Sequence, residues 1–426
     1  MRIHFSLKNF TFNIVFIAFI FYMLYSPPIF GIHSKYFITI FSWLYLLFNY
    51  RVFYRNINLV NLQKVYGVII FFAIWSFFLV GFNDGTRAVI IRYIYCLFSI
   101  IPGALCISIH ARKNGKDINY ILQLVLWAAL IQSVFSMMAF IDFDYKLQLL
   151  EKLDADGTMA MSQYENEIYY RLFGYSGGLT FDMPVVQAMI VAIAAYLSIN
   201  KSSKYLLFVP TIIFSAFINA RTSIVVMAVS IIILLWKESK FFKKHYWRLF
   251  ISSFFIFISL VVGSSYLEEM SSGTYGWVMT GVEQLIGFML ENETKTGYFS
   301  YVADSDRWVI PKGLFLLIGT GERIMGGSSF GVYSDIGYIN DLWFGGILYT
   351  LILYTLVLIF FIKLLKKSRY LENGKFVNFF CLSYLILLPI LNFKTYIISL
   401  GGFSTLLIII LTHAFLTTKN NVATKR

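Results

Sequence analysis

Four arginines and one aspartate have the types and placement to handle a polyanion. Arg171, Arg221, Arg307 and Arg323 each fall at or near the end of an apolar run, and Asp335 follows them in a polar segment. Arginine stays charged at any physiological pH, and its planar fork matches two phosphate oxygens at once. Sunk toward an apolar phase, where screening is weak, such a set would hold a diphosphate and stabilise negative charge developing on it. Asp335, beside them, would take a proton from a hydroxyl if its pKa and geometry suit. Each arginine also has a plainer reading. Arg221 would snorkel to lipid phosphates from a helix start. Arg171 would pair with Glu165 or Glu167, Arg307 with Asp304 or Asp306, and Arg323 with Glu322, as surface pairs worth little. Asp341 reads as a helix N-cap rather than as chemistry. The sequence holds no phosphate-binding loop, zinc motif, dinucleotide fingerprint or Ser-His-Asp arrangement. Its five histidines are scattered and its three cysteines lie in apolar runs. Neither a metal nor a cofactor is expected.

The elements that must position these residues are apolar helices. Of the 426 residues 58% are hydrophobic and 13% are charged, against roughly a quarter charged in soluble proteins. That excludes a soluble enzyme, a disordered chain and a disulfide scaffold. The spacing predicts an all-α polytopic membrane protein, one membrane domain over 1–426, with twelve spans. They fall near 10–30, 36–50, 65–83, 88–109, 118–141, 183–200, 204–219, 222–236, 249–266, 342–362, 376–391 and 396–416. Pro27-Pro28 ends the first, and no small-residue cleavage site follows it, so it is expected to be retained. The apolar run 205–236 would be about 48 Å long as one helix, against a hydrocarbon core of about 30 Å. It is therefore read as a hairpin turning at Asn219-Ala220-Arg221. The run 376–416 divides in the same way at Asn392–Lys394.

Charge gives the orientation. With both termini on one side, that side collects 23 of the 35 Lys and Arg and only 3 of the 22 Asp and Glu. Positive charge marks the cytoplasmic side, so both termini are expected there. The net charge of +13 thus does topological work, and no nucleic-acid partner is expected. Two loops on the outer side are long, about 142–182 and 267–341. Within the second, the moderately apolar stretch 308–320 is expected to dip back into the membrane. All five candidate residues fall on this outer side.

Several segments resemble motifs of the O-antigen polymerase and O-antigen ligase superfamily. Arg171-x-x-Gly174 with Asp182-x-Pro184 is similar to its first outer-loop motif. Asn219-Ala220-Arg221-Thr222-Ser223 is similar to the next, a turn that opens a helix. Asp306-Arg307-Trp308 with Gly319-Thr320-Gly321 resembles the long-loop motif, and Ser334-Asp335-Ile336-Gly337-Tyr338 with Gly345-Gly346 resembles its end. The four occur in the family's order, over about 171–350. The ligase branch carries a histidine near position 335, where this chain has Ser334-Asp335, so the polymerase branch is nearer. The resemblance implies a GT-C-like membrane glycosyltransferase of the bacterial inner membrane, needing no metal or cofactor. It would join repeat units carried on undecaprenyl diphosphate at the outer face. Arg171, Arg221, Arg307 and Arg323 would hold the diphosphate, and Asp335, Arg221 and Arg307 would serve catalysis. Membrane lipid, a chain-length regulator and a flippase are the implied partners. The alternatives are the ligase itself and a lipid-linked oligosaccharide flippase or other transporter.

Overall fold

The computed structural model describes residues 7–59, 62–83, 86–153, 171, 173–177, 181–220, 222–237, 276, 305–325, 329–371, 373–394 and 401–417. They form an all-α protein. Its helices, in chain order, are α1 (Leu7–Tyr25), α2 (Ser34–Phe48), α3 (Tyr50–Leu59), α4 (Leu62–Asn83), α5 (Ala88–Lys113), α6 (Ile118–Ile141) and α7 (Phe143–Leu153). Then come α8 (Asp182–Asn200), α9 (Ser203–Asn219), α10 (Thr222–Lys237), α11 (Leu314–Ile318), α12 (Gly337–Ser368), α13 (Gly374–Asn392) and α14 (Gly402–Thr417). A two-stranded antiparallel ribbon, Pro28–Ile29 with Ile32–His33, joins α1 to α2. Among the described residues six helices (in α4, α5, α6, α8, α12 and α13) are long and apolar enough to cross a membrane; α1, α2, α9, α10 and α14 are shorter apolar helices. The span expected at 249–266 lies outside the described residues.

The helix α8 is the centre of the bundle. It is apolar or small at nearly every position, so it has no face to give to water and is buried on all sides. It packs against α6, α9, α10 and α14, and α14 packs on α5 and α1. Its one internal amide, Gln187, donates to the Ala129 carbonyl of α6 at 3.1 Å. At the periphery the pattern inverts. Phe71, Ile74, Phe77 and Phe78 of α4, and Tyr36, Phe37, Ile40 and Phe41 of α2, are exposed. Apolar side chains displayed so widely are placed for lipid.

The helices run alternately up and down, which separates two ends. One end gathers Tyr25, Ser34, Ala88, Ile141, Asp182, Asn219, Asn392 and Gly402; we call it the aspartate end. There the Gly177 N–H donates to the Tyr25 carbonyl at 2.8 Å. The Asp182 carboxylate accepts from the N–H groups of Gly402 and Phe403 and so caps α14. The other, lysine, end holds Lys113, Lys116, Lys201, Lys204, Lys237 and the run 363–375. Asp117 is its one acidic side chain among the described residues, lying 3.9 Å from Lys201. Among the described residues the lysine end is thus strongly basic, while the aspartate end carries charges of both signs.

Helix α12 departs from expectation in two ways. It begins at Gly337, before the expected 342, so the second long loop ends at 336 and Asp341 lies inside the helix instead of capping it. It is also kinked, because Gly346 has φ 69° and ψ −175°. The kink leaves room for α11, the short helix within 308–320. A Cβ on Gly346 would lie 2.4 Å from the Leu317 carbonyl oxygen, and one on Gly319 would lie 2.4 Å from that of Phe344. Only glycine permits backbones this close at positive φ. Gly346→Ala is therefore expected to lower stability by about 2 kcal/mol or more. Gly67→Ala, with open space around it in α4, should be neutral or stabilising. Thermal unfolding of the purified protein in detergent would compare the two.

Candidate functional site

The loop before α12 is fastened to the kink by its backbone. The N–H groups of Thr320 and Gly321 donate to the carbonyls of Trp343 (2.7 Å) and Phe344 (2.9 Å). Glu322 N–H donates to the Thr320 hydroxyl and Arg323 N–H to the Thr86 hydroxyl, while Thr86 N–H donates to the Gly321 carbonyl at 2.9 Å. These amides are used for structure. The segment 319–321 thus turns its N–H groups toward the helix.

Two arginine–carboxylate pairs result. Arg307, in a single 3-10 turn over Ser305–Arg307, approaches Asp335 with Nη1 3.4 Å from Oδ2. The Asp335 carboxylate also accepts from the Tyr333 hydroxyl. Ser334 fixes the spacing: its hydroxyl donates to the Arg307 carbonyl at 2.7 Å, and Asn340 donates to the Ser334 carbonyl at 2.7 Å. The Trp343 indole N–H donates to the Val309 carbonyl at 2.6 Å, tying the same segment to α12. The Arg307 and Asp335 side chains remain 29% and 18% exposed, so this pair is only partly buried.

The second pair is closed. Arg323 Nη2 lies 3.1 Å from Asp341 Oδ1, with side-chain exposures of 7% and 2%. The Tyr354 hydroxyl donates to Asp341 Oδ2 at 2.8 Å, and Asn392 of α13 contacts that hydroxyl in turn. The Arg323 guanidinium also stands 5.8 Å over the Phe344 ring. The expected surface pair of Arg323 with Glu322 is not made. Glu322 turns to Ser329, accepting from its N–H at 2.8 Å and from its hydroxyl at 2.5 Å. Burial explains the exchange: a guanidinium inside apolar packing needs a counter-charge at its own depth. Arg323 is therefore a framework residue in this arrangement.

Arg171 lies on another wall of the same end. It is half-buried, and the following segment is laid over α6 and the end of α1. There Gln132 donates to the Phe173 carbonyl at 2.8 Å, and Tyr175 to that of Pro28 at 2.5 Å. Gly174 and Gly177 sit tight against α6 and Ser26, so they serve contact with the protein. Arg221 lies outside the described residues, as do Glu165, Glu167 and Asp304. Its flanking residues Asn219 and Thr222 close α9 and open α10 at the aspartate end. The hairpin read from the sequence is thus present on both sides of position 221.

Sequence reasoning missed Asp341, Tyr354 and Asn392, which lie on two helices and meet only in the folded chain. The signal available was the rarity of Asp and Asn inside apolar runs. It also missed Lys146 on α7, a buried lysine whose ammonium stands 5.5 Å over the Phe143 ring. Burial pushes its pKa down to about 8. Among the described residues no group of three His, Cys, Asp or Glu could hold a metal ion.

No protein-family model matches this chain, and no curated protein matches it. The fold and site define an all-α protein of apolar, membrane-length helices with two arginine–carboxylate pairs at one end.

The two pairs should answer mutation differently. Asp341→Asn strands a buried guanidinium and is expected to cost about 3 kcal/mol or more. Arg307→Gln opens a partly solvated pair and should cost no more than about 1 kcal/mol. Urea or thermal unfolding in detergent would measure both. Lys146 makes a pH prediction. Between its folded pKa of about 8 and the ordinary 10.5 the unfolded chain binds the extra proton, so stability rises with pH across that window. Below it the lysine is charged in both states and the full burial cost applies. Lys146→Met is thus expected to raise the unfolding temperature most at pH 7, with the gain shrinking toward pH 10.

Proposed function

We propose that this chain polymerises glycan repeat units carried on undecaprenyl diphosphate, at the outer face of a bacterial inner membrane. In this reading it is a GT-C-like glycosyltransferase with twelve spans, both termini cytoplasmic, and the aspartate end outward. The observation that carries the proposal is the open Arg307–Asp335 pair, 3.4 Å apart, at the same end of an apolar bundle as Arg171 and the turn containing Arg221. Supporting it is the resemblance of four ordered motifs to the O-antigen polymerase and ligase superfamily, with Asp335 where the ligase branch has histidine.

The chemistry follows from the pair. A diphosphate arriving at Arg307 competes with Asp335 for the guanidinium and frees the carboxylate. The acceptor sugar hydroxyl then attacks the anomeric carbon of the growing chain, while the bond from that carbon to the diphosphate oxygen breaks. The hydroxyl proton passes to Asp335, and the electron pair leaves on the diphosphate. Arg307, Arg171 and Arg221 stabilise that charge in a site whose low dielectric strengthens each contact. Arg323, already paired with Asp341, holds the loop in place and contributes its field at short range. A flippase would supply the lipid-linked unit, and a chain-length regulator would act on the product.

The test is the glycan made by cells carrying each variant at equal protein level. Arg307→Ala, Arg221→Ala and Asp335→Asn are expected to cut polymer about a hundredfold, leaving single repeat units on the outer surface. Arg307→Asp combined with Asp335→Arg restores opposite charges, so it should preserve folding but not polymer. Full-length ladders from the swapped variant would reduce the pair to a structural one and remove the proposal. Units trapped inside the cell would indicate a flippase; polymer left on its lipid carrier would indicate a ligase.

A further inference from the structure

A cavity of about 560 Å³ opens at the lysine end, between the end of α10, the α12–α13 turn and Tyr196 of α8. It lies at the opposite end from the arginine site and has no part in the chemistry above. Three cations line it, Lys237, Arg369 and Lys375, with Ser368, Asn373 and Asn378 as neutral hydrogen-bonding groups. No carboxylate is among the described lining residues; Glu372, and Glu238 next to Lys237 in sequence, lie outside the described residues. Asn378 already donates to the Ser368 hydroxyl at 3.1 Å, which fixes the polar wall. Helix α13 opens into this space without a side-chain cap or an acidic residue in its first turn, so its positive end adds to the cations. Three like charges around one hollow repel each other, and a bound anion relieves the repulsion.

The surroundings place that anion in a membrane. Trp236 and Tyr370 flank the cavity and are 65% and 82% exposed, as aromatic side chains at a headgroup layer are. Lys237 Nζ stands 4.7 Å over the Trp236 ring, held at the same depth. Basic pockets between membrane helices match anionic headgroups. We infer that this cavity seats the phosphate headgroup of an anionic phospholipid from the adjoining leaflet. Lys237, Arg369 and Lys375 neutralise the phosphate, Asn373 and Asn378 bond its oxygens or glycerol hydroxyls, and the acyl chains lie outside along α10 and α12. This inference does not depend on the glycan reading; it requires only that the helices span a bilayer.

Native mass spectrometry of the full-length protein in detergent provides the test, with phosphatidylglycerol or phosphatidylcholine as the added lipid. Wild-type protein should retain phosphatidylglycerol in preference to phosphatidylcholine. Lys237→Gln with Arg369→Gln and Lys375→Gln should weaken that retention about a hundredfold, and Lys375→Gln alone about fivefold. Lys204→Gln, at the same end but outside the cavity, should bind as wild type. All three cavity cations are exposed, and Arg369→Lys, which keeps the charge, should hold the lipid and report folding independently. Equal retention by wild type and the triple variant overturns the inference. So does displacement of the lipid by glycerol phosphate at equal concentration, which would make the site one for a soluble phosphate.

Discussion

A kinked helix in apolar surroundings exposes polar backbone that water cannot reach, and the structure is organised around meeting that need. At Gly346 the rod of α12 bends, and the carbonyls of Trp343 and Phe344 accept N–H groups from Thr320 and Gly321. An unpaired group there would cost several kcal/mol. The loop therefore has one place to sit. From that seat Arg323 reaches Asp341, Trp343 reaches the Val309 carbonyl, and Arg307 is carried to Asp335. The short helix α11 is a consequence of the same fit, since its Leu317 carbonyl rests against Gly346.

The two ion pairs divide the work of charge in a medium that tolerates little of it. Arg323–Asp341 is sealed, bonded further by Tyr354 and Asn392, and ties the loop to α12 and α13. Arg307–Asp335 is only partly buried. The Arg307 side chain keeps 29% of its surface exposed, whereas that of Arg323 keeps 7%.

Much of this was legible in the sequence. Apolar run length located most of the described helices, because burial acts on composition over many residues. The turns at 219–221 and 392–394 could be read because one helix cannot be that long in a bilayer. Asp335 and Arg307 could be named because each stands in a polar segment beside an apolar one. What stayed hidden was pairing. Arg323 has Glu322 next to it in sequence, yet it takes Asp341, because depth rather than proximity along the chain decides which carboxylate needs a cation. Nor could the use of Gly319 and Gly346 be read, since backbone-to-backbone contact across two segments leaves no periodic signal. Asp341 looked like a cap only because the helix start was placed too late.

Asp182 finds its partners at Gly402 and Phe403, far along the chain. The same closing helix lays Gly402 against the Leu24 carbonyl, and Phe403 accepts from Tyr384 at 2.6 Å. The carboxylate of Asp182 gains these partners only once α14 has been made. Helix α14 thus joins the ends of α1 and α8 across a separation of 220 residues from Asp182 to Gly402.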